Sequence, residues 1–336
     1  MALARYILRR LAFVLPQLVG ILMVSFFLVK LIPGDPAVLM LGPNATPDAI
    51  DGLRRALGLD QSLIRQFAVY IGHVFHGDLG TSWQSTRPVV SDLIERFPAT
   101  LELVTLGLSL ALLIGIPLGI AAARAGRGPL RKIGEAYGLL AGAIPDFWLA
   151  LVLIYVFYST LHVAPAPLGR LDIALVAPPF VTGSLILDSL LAGDLQALGS
   201  ALAHLVLPVA TLGFINAGPI LKMTQSTVGR ILASDFIRYA EMCGLPRRVV
   251  MRQAIRAALP SIVTIVSVLY GFLIGGAVLV EIVFSWGGAG QYAVQGVLNA
   301  DINPVLGFVV FSAIFSLIVY LCVDLAYFLL DPRTRG

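Results

Sequence analysis

The residues with any claim to chemistry are few and scattered. There are four histidines (His73, His76, His162, His204), two cysteines (Cys243, Cys322) and some carboxylates inside apolar runs. His73-x-x-His76 has half the spacing of a metal site, but no third ligand follows nearby, and the pair reads as two solvated histidines. The cysteines fall in a polar loop and in the last apolar run, so no disulfide framework is expected. Gly287-Gly288-Ala289-Gly290 lacks the lysine of a phosphate loop and reads as a turn; G-x-x-x-x-G-K-[ST] occurs nowhere, nor do G-x-S-x-G or H-E-x-x-H. These absences argue against an enzyme, and no cofactor or metal is expected in the chain itself. The carboxylates are a different matter, because an ionisable group in lipid is costly and normally faces a bundle interior or a water path. Glu102, near the outer end of its apolar run, is expected to reach water, and Asp324 to snorkel or pair near the inner face. Asp146, after Pro145 and deep in its run, either lines a pathway or is satisfied by a neighbouring helix. Glu281 reads as a gate or a helix-packing hydrogen bond, and Asn216 with Pro219 should interrupt the regularity of their helix.

The segments that must position these groups are set by composition. Of 336 residues, 58% are hydrophobic and 12% charged, and the mean hydropathy is +0.91. A soluble fold cannot hide that much apolar side chain, so most of the chain must lie in lipid. Six apolar runs are long enough to span: 11–31, 99–123, 134–158, 200–221, 258–284 and 304–330. The first, preceded by Arg5, Arg9 and Arg10, is followed by Pro33-Gly34-Asp35-Pro36 rather than a small-residue cleavage site, and reads as an uncleaved anchor. Basic residues orient the bundle. Arg5, Arg9, Arg10, Arg124, Arg127, Arg131, Lys132, seven in 222–257, Arg333 and Arg335 put 16 of 23 Lys and Arg on one side, which makes both termini cytoplasmic. Net charge is only +4, and no basic–aromatic tract suggests nucleic acid.

The outer segment 32–98 is long enough for structure of its own. Thr46-Pro47-Asp48 predicts a helix start, and Gly58 a stop after an apolar face of Ile50, Leu53 and Leu57. Ser82 in this segment should be open to an impermeant reagent from outside. The segment around 160–199 starts as a loop, and 185–191 suits the membrane surface.

The cytoplasmic stretch 222–257 is the most informative. Ser234 can cap a short helix, Asp235 complements its dipole, and Gly244 with Pro246 ends it. Phe236, Tyr239, Ala240 and Cys243 recur at i, i+3, i+4 and i+7 as one apolar stripe, with Arg238 and Glu241 at pairable spacing on the other face. So short a helix needs packing. Either another protein holds it, or it lies back on the bundle's own underside.

Ala240-x-x-x-Gly244 and the later Ala258-Leu259-Pro260 resemble the cytoplasmic loop of ABC-importer permeases, with Arg238-Tyr239-Ala240 where that loop usually has Glu-Ala-Ala. Further segments resemble the dipeptide/oligopeptide branch of the binding-protein-dependent transport system permeases: Arg9-Arg10, Leu31-Ile32-Pro33-Gly34-Asp35-Pro36, Leu57-Gly58-Leu59-Asp60, Gly77-Asp78-Leu79-Gly80-Thr81-Ser82, Thr182-Gly183 with 187–194, 281–286 and Asp331-Pro332-Arg333. Their order covers essentially the whole chain. The resemblance implies an all-α integral membrane protein with six transmembrane helices and the type I ABC importer permease fold. Its parts would be an N-terminal end and first helix (1–31), a helical periplasmic segment (32–98) and a five-helix core (99–336) carrying the coupling loop 222–257.

The same resemblance implies a role in the bacterial inner membrane: half of an ATP-driven import pathway for peptides or peptide-like solutes. The partners it implies are a second homologous permease, two cytoplasmic ATPase subunits that bind ATP and Mg, and a periplasmic substrate-binding protein. Asp235, Phe236, Tyr239, Ala240, Glu241, Cys243 and Gly244 would then form the ATPase-coupling helix, and Asp146, Asn216 and Glu281 are candidates to line the pathway. Two alternatives stand beside this reading. One is a self-sufficient secondary transporter, although the paired charges and matching broken helices of that class are missing. The other, within the family, is a nickel-chelate or glutathione importer.

Overall fold

A computed structural model describes residues 2–31, 35–42, 44–126 and 128–330, without the side chains of 2–11, 324 and 326–330. Ile32-Pro33-Gly34, Arg127, Asp331-Pro332-Arg333, Arg335 and the side chains of Arg5, Arg9, Arg10 and Asp324, all used above, lie outside the described residues. Among the described residues every named element is a helix, in the order α1 (Ala2–Val29), α2 (Pro36–Leu41), α3 (Pro47–Ala56), α4 (Leu63–Phe75), α5 (Val89–Arg124), α6 (Pro129–Ala143) and α7 (Asp146–Leu153). A π-helical stretch (Ile154–Thr160) continues α7, followed by α8 (Leu185–Ala192), α9 (Leu195–Leu232), α10 (Asp235–Met242), α11 (Arg247–Gly276), α12 (Val278–Val283), α13 (Ala289–Leu298) and α14 (Ile302–Leu330).

Helices α1, α5, α9, α11 and α14 are each long and apolar enough to cross a membrane. The apolar pair of α6 and α7 with its π extension, bent by 99°, makes a sixth span when the two are counted as one. Six apolar runs thus correspond to five continuous helices and one bent pair, the third run, which is broken rather than continuous. Ile144 is extended, as a residue before proline tends to be, and Pro145 restarts the chain as the N-cap of α7. By contrast α9 runs unbroken through both Pro208 and Pro219, so the interruption expected at Asn216–Pro219 does not occur. Several spans also outgrow their apolar runs. At 36 residues, α5 is about 54 Å long and α9, at 38, about 57 Å, so polar turns extend each beyond a hydrocarbon layer about 30 Å thick. The fifth span begins at Arg247 and ends at Gly276, after a Gly-Gly pair, and the remainder of its apolar run becomes the separate α12.

The chain divides into two compact units, residues 1–98 with 287–318, and residues 99–286 with 319–336. In the first, Phe26 and Val29 of α1 pack with Leu306 of α14 and with Phe67 and Tyr70 of α4. Helix α3 starts where Thr46 was expected to start it, its hydroxyl accepting from the Ala49 amide at 3.4 Å. Gly58, at φ +65°, ends the turn. A buried polar network holds the loop before α5: Ser82 Oγ donates to Asp301 at 2.6 Å, Ser85 Oγ to Asp92 at 2.6 Å and Tyr292 OH to Asp92 at 3.0 Å. Burial pushes the Tyr292 phenol up to about 12, which keeps it a donor. Ser82 is completely buried, so the expectation that it faces solvent is wrong. The side chain closes a network with a residue 219 positions away, a contact that local pattern does not carry.

In the second unit, α9 is the central helix, and glycines set its distance from its neighbours. A Cβ on Gly115 of α5 would lie 2.8 Å from the Ala217 carbonyl, and one on Gly218 of α9 2.8 Å from Ala141 of α6. Close backbone approach of this kind is how helices associate in lipid, where apolar side chains gain nothing by leaving one apolar solvent for another.

Candidate functional site

The loop helix α10 is present, eight residues long, and its apolar residues divide between two surroundings. Ile237 and Ala240 are buried against Val250 and Ala254 of α11 and the end of α9 at Ile231 and Leu232. Phe236, Tyr239 and Met242 are 50%, 68% and 79% exposed, and Cys243 is exposed. The single stripe of Phe236, Tyr239, Ala240 and Cys243 is therefore corrected: Ala240 turns inward with Ile237, about 60° away around the helix, while the other three face out. Ile237 was missed because i, i+3 with Ala240 is as good a stripe as the one chosen. The ends differ in detail too. Ser234 occupies the N-cap position, but its hydroxyl donates to the Ile231 carbonyl at 2.6 Å instead of accepting from α10. Arg238 pairs with Asp235 at 3.9 Å rather than with Glu241. Gly244 stands at φ +76°, with the Leu245 amide donating back to the Ala240 carbonyl at 3.2 Å. A β-branched residue there would cost about 1–2 kcal/mol.

The three candidate pathway residues meet three different surroundings. Asp146 is half-buried at the N-terminus of α7, where the broken span leaves amides that a carboxylate complements. Asn216 is buried and spends its amide on its own helix, donating to the Leu212 carbonyl at 2.8 Å. Glu281 is completely buried and accepts from Thr100 Oγ1 at 2.6 Å. His73 lies 3.0 Å from Asp78, and His76 is 2.7 Å from the Gly72 carbonyl.

A further constellation was not anticipated. Glu102 does not reach water. It is buried, ion-paired with Arg170 at 2.6 Å, and accepts from Ser184 Oγ at 2.5 Å and from the Ile186 amide at 3.2 Å. The Arg170 guanidinium lies 5.8 Å from the centre of the Trp286 ring, and Trp286 Nε1 donates to the Ala99 carbonyl at 3.0 Å. Asp188 collects the Thr182 amide and hydroxyl, both at 2.7 Å, and the Gly183 amide at 3.0 Å. Burial works to raise its pKa, but those hydrogen bonds outweigh it and hold the carboxyl below the usual range. The segment 170–188 is thus bound down over the start of its unit: Thr182, Gly183 and Asp188 stood above only as motif letters, and Arg170 and Ser184 were not singled out at all.

The profile of the family described as "Binding-protein-dependent transport system inner membrane component" matches residues 115–336, and that of its N-terminal part matches residues 3–104. The chain belongs to this family. It is 41% identical to the "Probable D,D-dipeptide transport system permease protein DdpB" of Escherichia coli K12, over 94% of this chain and 92% of that one. It is 35% identical to the "Dipeptide transport system permease protein DppB" of the same organism, over 98% of each. It is 36% identical to the "Di/tripeptide transport system permease protein DppB" of Pseudomonas aeruginosa, again over 98% of each. A helical membrane protein is what the apolar runs required, and the resemblance drawn from the motifs, to an inner-membrane transport component, is correct. The family's membership also gives the exposed face of α10 a context: a transport component of a multi-part system carries an aromatic surface on a short, well-anchored helix.

Proposed function

We propose that this chain is the permease subunit of an ATP-driven peptide importer and supplies half of the translocation pathway. The relatives' names, all of them permeases of dipeptide or peptide systems, support the substrate class. On this reading both termini and the 222–257 loop are cytoplasmic, and 32–98 is periplasmic. A second homologous permease completes the pathway. Two ATPase subunits bind ATP and Mg, and a periplasmic binding protein delivers the peptide and sets most of the specificity. This chain performs no hydrolysis.

The observation that carries the mechanism is the division of α10. One face is fixed to α11 and α9 through Ile237 and Ala240, and the other exposes Phe236, Tyr239 and Met242. A helix so mounted transmits force: what grips the aromatic face moves the ends of two spans. Asp146, at the break of the third span, and Glu281 are the proposed pathway-side polar groups. The test is ATP-driven uptake of a labelled dipeptide by vesicles holding the assembled importer. Phe236→Asp should leave the purified chain as stable as before while reducing co-purified ATPase subunits and uptake together. Uptake by the lone chain under a proton or sodium gradient would overturn the proposal in favour of a secondary transporter.

A further inference from the structure

Five arginines of the second unit surround one cavity. Arg124, the last residue of α5, joins Arg247, Arg248, Arg252 and Arg256 of α11 around about 380 Å³, with Met251 and Ile255 as its apolar wall. Arg54, Arg87, Arg131, Arg170 and Arg238 each have a carboxylate partner. Among the described residues, none of the five around the cavity does. Arg248, Arg252 and Arg256 recur every four residues along one helix stripe, where like charges repel. An anion between them relieves that repulsion.

The chemistry of the walls narrows the anion. Guanidinium forks match tetrahedral oxyanions, binding phosphate oxygens in pairs. Both helices that carry the arginines are membrane spans, and arginines at span ends lie at headgroup depth. A free metabolite has no need of Met251 and Ile255, whereas a glycerol backbone leading to acyl chains does. We propose that this pocket binds the headgroup of an anionic phospholipid. The proposal rests on the spanning assignment of α5 and α11, not on the peptide or the ATPase reading. It has a consequence for the loop helix, because Val250 and Ala254, on the same first turns of α11, carry Ile237 and Ala240 of α10. A lipid held by Arg248 and Arg252 braces the segment on which α10 rests.

The experiment uses the full chain, purified in neutral detergent and stripped of lipid. It is titrated with phosphatidylglycerol, phosphatidylcholine or inorganic phosphate, with bound lipid read by native mass spectrometry. Phosphatidylglycerol should be retained roughly ten-fold over phosphatidylcholine. The triple variant Arg248→Gln, Arg252→Gln, Arg256→Gln should lose that preference. A control triple with the same change in charge, Arg55→Gln, Arg65→Gln, Arg230→Gln, should keep it. The triple Arg→Lys variant at 248, 252 and 256 should fall between, since it retains charge without the fork. Equal retention of the two lipids, or retention of phosphatidylglycerol by the Gln triple, would overturn the proposal. So would displacement of the lipid by millimolar phosphate, which would make the pocket a free-anion site. Loss of co-purified ATPase subunits from the Gln triple of the assembled importer, with no phosphatidylglycerol preference in the wild-type chain, would assign the pocket to a protein interface, again overturning it.

Discussion

Replacing Arg170 with methionine tests whether the Glu102–Arg170 pair holds the 170–188 segment in place. The pair is 2.6 Å apart, with side-chain exposures of 16% for Arg170 and 4% for Glu102. Removing one partner of a buried pair costs about 3–5 kcal/mol, because the other is left charged in a poor solvent. Here the value should sit near the lower end, about 3 kcal/mol, because Glu102 keeps its bonds from Ser184 Oγ and the Ile186 amide. The double variant Glu102→Gln, Arg170→Met removes both charges and should cost about 1 kcal/mol or less, leaving a coupling of about 2 kcal/mol or more between the sites. Equilibrium unfolding of the purified chain in mixed micelles measures these values. The fluorescence of Trp286, beside Arg170, reports the local change. The reasoning fails if Arg170→Met costs less than about 1 kcal/mol, or if the double variant is as unstable as the single.

Three further outcomes are expected. Asp188, held below the usual carboxylate range, contributes stability that is complete above about pH 4 and is lost as pH falls through its depressed pKa. Unfolding curves of wild type and Asp188→Asn should therefore converge as the pH is lowered, and curves that stay parallel would refute this. A cysteine at exposed Ser62 should react with an impermeant reagent on intact cells, whereas one at buried Ser82 should react only after unfolding. Labelling of Ser62→Cys only after lysis would invert the proposed topology. Gly115→Leu places a Cβ 2.8 Å from the Ala217 carbonyl and should cost about 1–3 kcal/mol. Gly142→Leu, with nothing within 4 Å, should cost far less, and equal costs would remove glycine spacing as the reason for the α5–α9 contact.

What the sequence by itself determined was whatever depends on short-range chemistry or on the choice of solvent. Apolar runs long enough for lipid marked six spans, because a backbone in lipid must satisfy its hydrogen bonds within a helix. Local signals marked the start of α3 at Thr46-Pro47 and the left-handed end of α10 at Gly244. The motif letters were enough to name the family. What only the tertiary structure decided were the outcomes of competition between distant groups. Pro145 breaks a span while Pro208 and Pro219 do not, and the sequence at each offers the same missing amide. Glu102 is buried because Arg170, 68 residues on, reaches it, and Ser82 because Asp301 does. Ala240 faces inward because Val250 and Ala254 accept it there with Ile237. A helix stripe says which residues are apolar, but only the neighbouring helices decide which part of the stripe is covered and which part is left for a partner.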